Sequence, residues 1–541
     1  MRGARHAKWA AAAAAVALAA TACGGGGSGG GGGGDGVLSA WWGDPQNPLE
    51  PANTTEVQGG KVLDMVTRGL KRYNPKTGAA ENMVAEKIET TDAQNFTVKL
   101  KDWKFSNGEK VTAESFVRAW NYGANVKNKQ KGAPFFGYIE GYDKVHPEKG
   151  DPTAETLSGL KVVDEKTFTV KLNQKFSTWP ETLGYAAFAP LPKAFFDDHD
   201  AWVSKPVGNG PYTVENYAKG SAMNLKKWEE YPGPDKAQNN GVDLRVYTEN
   251  TAAYNDLVAG NLDLLDDVPA AQLQNVKNDV GGRYASPPAG IIQTLAFPFY
   301  KPEWKTEGAA KVRKGISRAI NRKQITESIF HGTRTPATDW TSPVLKEEGG
   351  YKAGLCGADC EYDAAEAKKL ITEGGGIPGG QLKISYNADG GSHKDWVDAV
   401  CNSINNALGD NRACVGNPIG TFADFRSKVT KGEMDGPFRA GWQMDYPLIQ
   451  NFLEPLYYTD ASSNDGKWSS PAFDKLMNEA NAEVDTKKAV ETYQKAEKAV
   501  ADDMAAIPLW YQNGSVAYSD RVSNVALNPF SIPVYSEIKV N

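Results

Sequence analysis

With 541 residues the chain is several times the usual domain size, so a single hydrophobic core is excluded and two or three packed lobes are expected. Its 40% hydrophobic and 23% charged residues are those of an ordinary globular protein, and 14 Trp, 22 Tyr and 19 Phe supply aromatic surface for a binding site. The first 22 residues carry three bases and no acid, so setting them aside moves the formal net charge from -6 to -9, which argues against a nucleic-acid partner.

Arg2, Arg5 and Lys8 precede an apolar stretch from Trp9 to Ala22, the order of a secretory signal over residues 1–22 and too short to span a bilayer. The stretch ends in ATAC, residues 20–23, which resembles the lipobox of bacterial lipoproteins with Ala20 where Leu is commoner. The resemblance implies acylation of Cys23. The Gly-rich run that follows, to residue 36, can bury nothing and reads as a flexible tether. The alternative is a plain secreted protein with a chance Cys near its cleavage site.

Beyond the tether, short strands, turns and helices alternate without a repeated unit, an α/β pattern throughout. FTVKL occurs at 96–100 and again at 168–172, each alternating as a half-buried strand does. Turn residues crowd 106–110, 208–212 and 231–236. The spacing of Trp396, Val397, Val400, Ile404 and Leu408 predicts an amphipathic helix over 393–408, and Val312, Ile316, Ala319 and Ile320 predict another. Ser470 and Pro471 form a helix start for Phe473, Leu476, Met477 and Ala480. Asp485 caps a further helix presenting Val490, Tyr493, Ala496 and Val500, and IPLWYQ, 507–512, reads as a buried strand. The pairs Cys356/Cys360 and Cys401/Cys414 predict two local disulfides in an oxidising compartment; zinc is the alternative, against which stand the wide second spacing and a total of five His.

Several segments, in order, resemble the bacterial extracellular solute-binding proteins of family 5, which serve oligopeptide and dipeptide ABC importers. They include WWGDPQNPLEPANTTEVQGGKVLDMVTRGL (41–70), AENMVAEKIETTDAQNFTVKLKDWKFSNGEKVTAESFVRAW (80–120), PVGNGPYTVENY (206–217), RAGWQMDYPLIQNFL (439–453) and IPLWYQNGSVAY (507–518). The resemblance implies a class II periplasmic-binding-protein-like α/β fold of the three-lobed type, its two main lobes closing on ligand about hinge strands. Lobe I is expected from 37–67, 191–286 and 512–541, lobe II from 68–190 and lobe III from 287–511. Crossing segments fall near 286–290, where PPAG supplies a stiff turn, and near 511–514. Further implications are a peptide ligand, an ABC permease as partner, a lipid anchor on the outer face of the membrane, a monomeric state and no cofactor.

A peptide in a cleft needs an anion for its amino end, strand-edge backbone for its main chain and a cation for its carboxylate. In relatives the Asp of RAGWQMDYP pairs with the α-ammonium, which implies that role for Asp445. A strand beginning at 439 lets Gly441 and Gln443 offer backbone groups and Trp442 wall a side-chain pocket. The resemblance places Arg439 near the ligand's carboxyl end, assigns His393 a similar part across a one-residue insertion, and puts Val57 in a loop that pairs with the ligand main chain; Lys428 and Lys431 are alternative cations. Against these stand plainer roles: Asp445 as a turn former, Arg439 in a structural ion pair, His393 capping its helix, and Trp442, Trp510 and Tyr511 in the core.

No GxSxG, HExxH or P-loop occurs, and the His residues, at 6, 146, 199, 331 and 393, show no metal spacing, so neither an enzyme nor a metal site is expected. Open alternatives are the same fold carrying a metal chelate, opine, sugar or antibiotic, and a signalling or adhesion lipoprotein.

Overall fold

Alternation of apolar and polar residues builds three main sheets in the computed structural model, which describes residues 36–45, 47–247, 249–388, 393–461 and 463–541. The charged and apolar leader, Cys23 and the Gly-rich run up to residue 35 lie outside the described residues. The two FTVKL segments are spatial neighbours: strands Asn95–Leu100 and Thr167–Lys171 pair antiparallel with Phe96 opposite Val170. Phe96, Val98 and Leu100 are buried while Thr97 is exposed, the half-buried pattern their alternation predicts. With Ala85–Thr90 and Leu160–Asp164 they form a four-stranded sheet under helix Ala113–Ala124. From that helix Trp120 packs edge-on against Phe168, Trp179 and Phe188.

A seven-stranded sheet centres on Val37–Trp42, which runs parallel to both Gly241–Val246 and Leu264–Leu265. Helix Val57–Val66 packs Val62, Leu63, Met65 and Val66 into the core of this sheet. A six-stranded sheet follows the order Arg334–Pro336, Ala506–Asn513, Pro288–Ala296, Phe438–Gln443, Leu382–Asn387 and Cys414–Ile419. IPLWYQ lies within its Ala506–Asn513 strand, with Ile507 to Tyr511 buried, and Trp510 and Tyr511 belong to the core.

The predicted helices form with the predicted faces inward. Helix His393–Leu408 buries Trp396, Val397, Val400 and Ile404 and leaves Leu408 half-buried, and Ala309–Arg318 buries Val312 and Ile316, with Ala319 and Ile320 buried just past its end. Ser470 caps Pro471–Ala482 by accepting from the Phe473 amide at 3.3 Å, and Asp485 caps Thr486–Asp503 through the Lys487 and Lys488 amides at 3.0 and 3.2 Å. In these two helices Leu476 and Val490 are only half-buried, at the margins of their stripes.

The chain passes between the seven- and six-stranded sheets twice, and the two passages touch. Strand Tyr284–Ala285 belongs to one sheet and Pro288–Ala296 to the other, so the stiff turn expected at PPAG is instead an extended crossing. Proline supports this, since its ring holds the residue before it in the extended region. Gly514, on the return passage, donates to the Pro287 carbonyl at 2.8 Å and accepts from the Ser286 hydroxyl at 2.9 Å.

Both predicted disulfides are present, Cys356 with Cys360 and Cys401 with Cys414, so these thiols are not zinc ligands. The second ties helix His393–Leu408 to strand Cys414–Ile419. Replacing both its cysteines by Ser is expected to lower stability by about 3 kcal/mol, the closure entropy of a loop this long, and losing Cys356–Cys360 by about 2 kcal/mol. Denaturant unfolding without reductant measures both; an equal or reversed order would contradict the loop argument.

Candidate functional site

Where the three sheets approach one another they frame an open cleft of about 350 Å³. One wall comes from residues 54–57 and helix Val57–Val66, a second from Tyr73 and Gly184 to Ala189, a third from Gln443 to Asp445, and the last from the tail residues Asn528, Phe530 and Ile532. Asp445 reaches it from the end of strand Phe438–Gln443. Gln443 pairs with Ile291 of the neighbouring strand, and the Met444 amide then donates to the Gly290 carbonyl at 2.9 Å. The Asp445 amide donates to Asn451 Oδ1 at 2.8 Å while Asn451 Nδ2 donates to Asp445 Oδ2 at 3.1 Å. Trp442 Nε1 donates to the same Asn451 Oδ1 at 3.1 Å. One buried amide thus fixes the carboxylate and the indole together.

Asp445 is half-buried, and among the described residues no cation pairs with it. Burial pushes its carboxyl up to about 6 against the hydrogen bond from Asn451, which pulls down. The surrounding phenols are held protonated: Tyr185 is raised by burial and then by the charge of Asp445, and Tyr73 by burial, Glu181, Tyr446 and Asp445.

The cations of the cavity wall, by contrast, have carboxylate partners. Arg68 Nη2 lies 2.5 Å and Arg72 Nη1 2.9 Å from Asp235 Oδ2, and Lys71 Nζ lies 2.8 Å from Glu181. Tyr231 donates to the other Asp235 oxygen at 2.7 Å. Burial raises the Asp235 carboxyl, but Arg68 and Arg72 outweigh it and hold the group down at about 2. Arg68 is placed by the PVGNGPY turn: buried Asn209 accepts from the Arg68 amide at 2.8 Å and donates to its carbonyl at 2.9 Å. Glycine is needed beside it, because a Cβ on Gly208 would stand 1.9 Å from the Val66 carbonyl oxygen.

The sequence-derived residues divide between two cavities. Asp445, Gln443 and Val57 line the first. Val57 is not in a loop: it is the first residue of its helix, because the Glu56 carboxylate caps that helix through the Gln58 and Gly59 amides at 2.7 and 2.9 Å. Gly441, Trp442 and Arg439 line a second cavity of about 240 Å³. A Cβ on Gly441 would meet the Ile292 carbonyl oxygen at 2.8 Å, so this glycine accommodates the adjacent strand. Arg439 donates through Nε to Asn387 Oδ1 at 2.6 Å and lies 5.1 and 5.0 Å from the ring centres of Phe422 and Phe425. His393 accepts from Trp396 Nε1 at 3.0 Å at the start of its helix and is among the described lining residues of neither cavity.

Strand Phe438–Gln443 has one edge paired to Pro288–Ala296 along its length, whereas its other edge meets a neighbour only where Phe438 faces Ser385, among the described residues. That edge, between Asp445 and Arg439, leaves main-chain groups to be paired by an extended ligand. Tyr73, Tyr185, Phe530, Arg68, Arg72 and Asp235 escape a reading of the sequence, since they are assembled from distant segments with no local pattern. Among the described residues no group of three or more His, Cys, Asp or Glu is placed to hold a metal ion, and no helix is long and apolar enough to cross a membrane.

A model of the bacterial extracellular solute-binding proteins, family 5, matches residues 79–464. The oligopeptide-binding protein OppA of Bacillus subtilis is 26% identical over 499 residues, 88% of each chain. Among solved structures, the MppA periplasmic murein tripeptide binding protein in its unliganded open form superposes with a TM-score of 0.79 at 22% identity, covering 94% of this chain and 97% of that one. Haemophilus influenzae OppA in complex with RPPGFSPFR gives 0.71 at 22% identity, over 93% and 99%.

Proposed function

Because the chain belongs to the bacterial extracellular solute-binding proteins of family 5, we propose that it captures oligopeptides or dipeptides outside the cell and delivers them to the permease of an ABC-type importer, making and breaking no bond. The relatives named for oligopeptide and murein peptide binding support the ligand class. The observation that carries it is Asp445: a carboxylate that lines the cleft between the sheets, without a cation of its own, beside a strand edge open to an extended chain. A ligand α-ammonium supplies the missing charge, and its main chain supplies the missing strand.

On this reading residues 37–67, 191–286 and 512–541 move as one lobe, 68–190 as a second and 287–511 as a third. Each main sheet draws its strands from one of these sets, apart from the last two residues of Ala506–Asn513, which supports the division. The paired passages at 286–287 and 514 serve as the hinge. Cys23 carries the lipid that keeps the receptor at the outer face of the membrane, supported by the order of charged, apolar and Gly-rich segments around it.

The ammonium contact makes binding depend on pH with a definite sign. Above about pH 6 the Asp445 carboxyl is already ionised and affinity is flat; below it, each ammonium bound must displace a proton, and affinity falls about tenfold per pH unit. Calorimetry with tri-alanine at pH 7 and pH 5 is expected to differ about tenfold, with proton release appearing only at the lower pH. A flat profile across this window contradicts an ammonium at Asp445.

A further inference from the structure

We propose that Glu454 is the catch of a latch between the second and third lobes, and that helix Ile449–Tyr457 ties this latch to the ligand anchor; this rests on the lobe division and the peptide reading above. Residues 68–190 and 287–511 are each joined by the chain only to the lobe of the seven-stranded sheet, so whatever holds them to one another is non-covalent. The contacts found there are polar and directed. Tyr138 of the second lobe donates to Glu454 Oε1 of the third. The Ser177 amide donates at 2.8 Å to the Asn481 carbonyl, which stands in the last turn of helix Pro471–Ala482, where carbonyls have no partner within the helix. Next to it, the Thr178 hydroxyl lies 3.4 Å from the Tyr493 hydroxyl, which itself donates to Asn481 Oδ1 at 2.5 Å.

Glu454 gathers this network. Besides Tyr138, Gln450 Nε2 donates to its Oε2 at 2.6 Å and Asn481 Nδ2 to the same oxygen at 3.1 Å. All three donors are neutral, and a hydrogen bond to a carboxylate is stronger than one between neutral groups. Burial, and then the charge of Glu454, hold the Tyr138 hydroxyl protonated, so it stays a donor. Gln450, Asn481 and Thr178 are buried, which keeps water from competing for these bonds.

The same helix supports the anchor. Asn451, three residues before Glu454 and so a neighbour on the helix surface, holds both the amide and the carboxylate of Asp445. Tyr446, next to Asp445, donates to Gln450 Oε1 at 2.6 Å, and Gln450 in turn donates to Glu454. Hydrogen bonds therefore run without a gap from the residue beside the anchor to Tyr138 of the facing lobe. Neither Tyr138 nor Glu454 is among the described residues lining the cleft, so their effect on a ligand passes through the latch.

Two adjacent amides read the latch. The Phe176 amide donates to the Ala93 carbonyl inside the second lobe at 2.7 Å, whereas the Ser177 amide donates to the third lobe. Hydrogen exchange of the receptor without added peptide, resolved to single amides, is expected to speed about tenfold or more at Ser177 in Tyr138→Phe and to stay unchanged at Phe176. The variant keeps the ring, whose centre lies 4.8 Å from that of Phe176. Glu454→Gln, which turns amide hydrogens toward one of the donors, is expected to match it, and the double variant to add little to either. Tri-alanine is expected to leave Tyr138→Phe about tenfold faster than wild type, with a smaller change in its association rate. A Ser177 amide already unprotected in the wild type, unchanged exchange there in the variant, or equal acceleration at Phe176 overturns the latch. Faster exchange at Ser177 with tri-alanine leaving at the wild-type rate overturns the tie to the anchor and leaves the peptide reading standing. If tri-alanine binds neither protein, the peptide reading fails, and the exchange decides the latch by itself.

Discussion

Asp445→Asn is expected to weaken peptides with a free α-amino group by about 2–5 kcal/mol, between tens and thousands of fold in Kd, because the ligand ammonium is then buried without its counter-charge. The same peptides N-acetylated should bind wild type and variant alike. Asn is the informative replacement, since it keeps an acceptor for Asn451 Nδ2, whose bond to Asp445 Oδ2 is 3.1 Å. The fold is not expected to suffer. Burial raises the Asp445 carboxyl from the ordinary range to about 6, so in the empty receptor its charge opposes folding, and that penalty is absent below about pH 4 and complete once pH rises past about 6. Removing the charge therefore leaves the unliganded variant at least as stable at pH 7, and a loss of affinity cannot be assigned to unfolding. Equal losses for free and acetylated peptides would falsify the ammonium contact.

The part of this molecule that is local in sequence is the part that was legible in it. Alternation in the two FTVKL segments predicts half-buried strands, and they are; the caps at Ser470 and Asp485 sit where the sequence puts them. What periodicity does not contain is which strands meet, and the site depends on that. Asp445 is informative only because Gly290, from another strand, holds the Met444 amide and Asn451, from the next helix, holds the Asp445 amide beside the cavity. Two local expectations were overturned, one by a helix cap and one by a chain crossing. Val57 is drawn into a helix by the Glu56 cap, and the prolines at 287 and 288 are pulled straight by a chain that must pass between two sheets. Arg439 and Trp442, six and three residues before Asp445, line a different cavity, because alternation turns Trp442 with Ala440 to one face of the strand and Arg439 folds back onto Phe422 and Phe425.

Nothing in the sequence announces the pairing of Arg68 and Arg72 with Asp235, yet it decides the character of the cavity. Asp235→Asn is expected to cost about 3–5 kcal/mol of stability, because it leaves the buried Arg68 guanidinium without its salt-bridge partner and Arg72 with only Glu81, 3.7 Å away. The sign of the pH dependence is opposite to that at Asp445. Asp235 is held at about 2, below its unfolded value, so its contribution is fully present above about pH 4 and is lost as pH falls toward 2. Wild type should therefore lose stability over that acid window, and the variant should show a shallower loss there. Denaturant unfolding at pH 7 and pH 3 measures both. The consequence for binding is separate and has its own direction. With Asp235 neutralised, Arg68 loses its salt-bridge partner and adds positive charge to the cavity that Asp445 shares, which disfavours an incoming ammonium and favours an acetylated or acidic ligand end. If the variant folds and its preference between free and acetylated peptides does not move, the two ends of the cavity do not feel one another's charge.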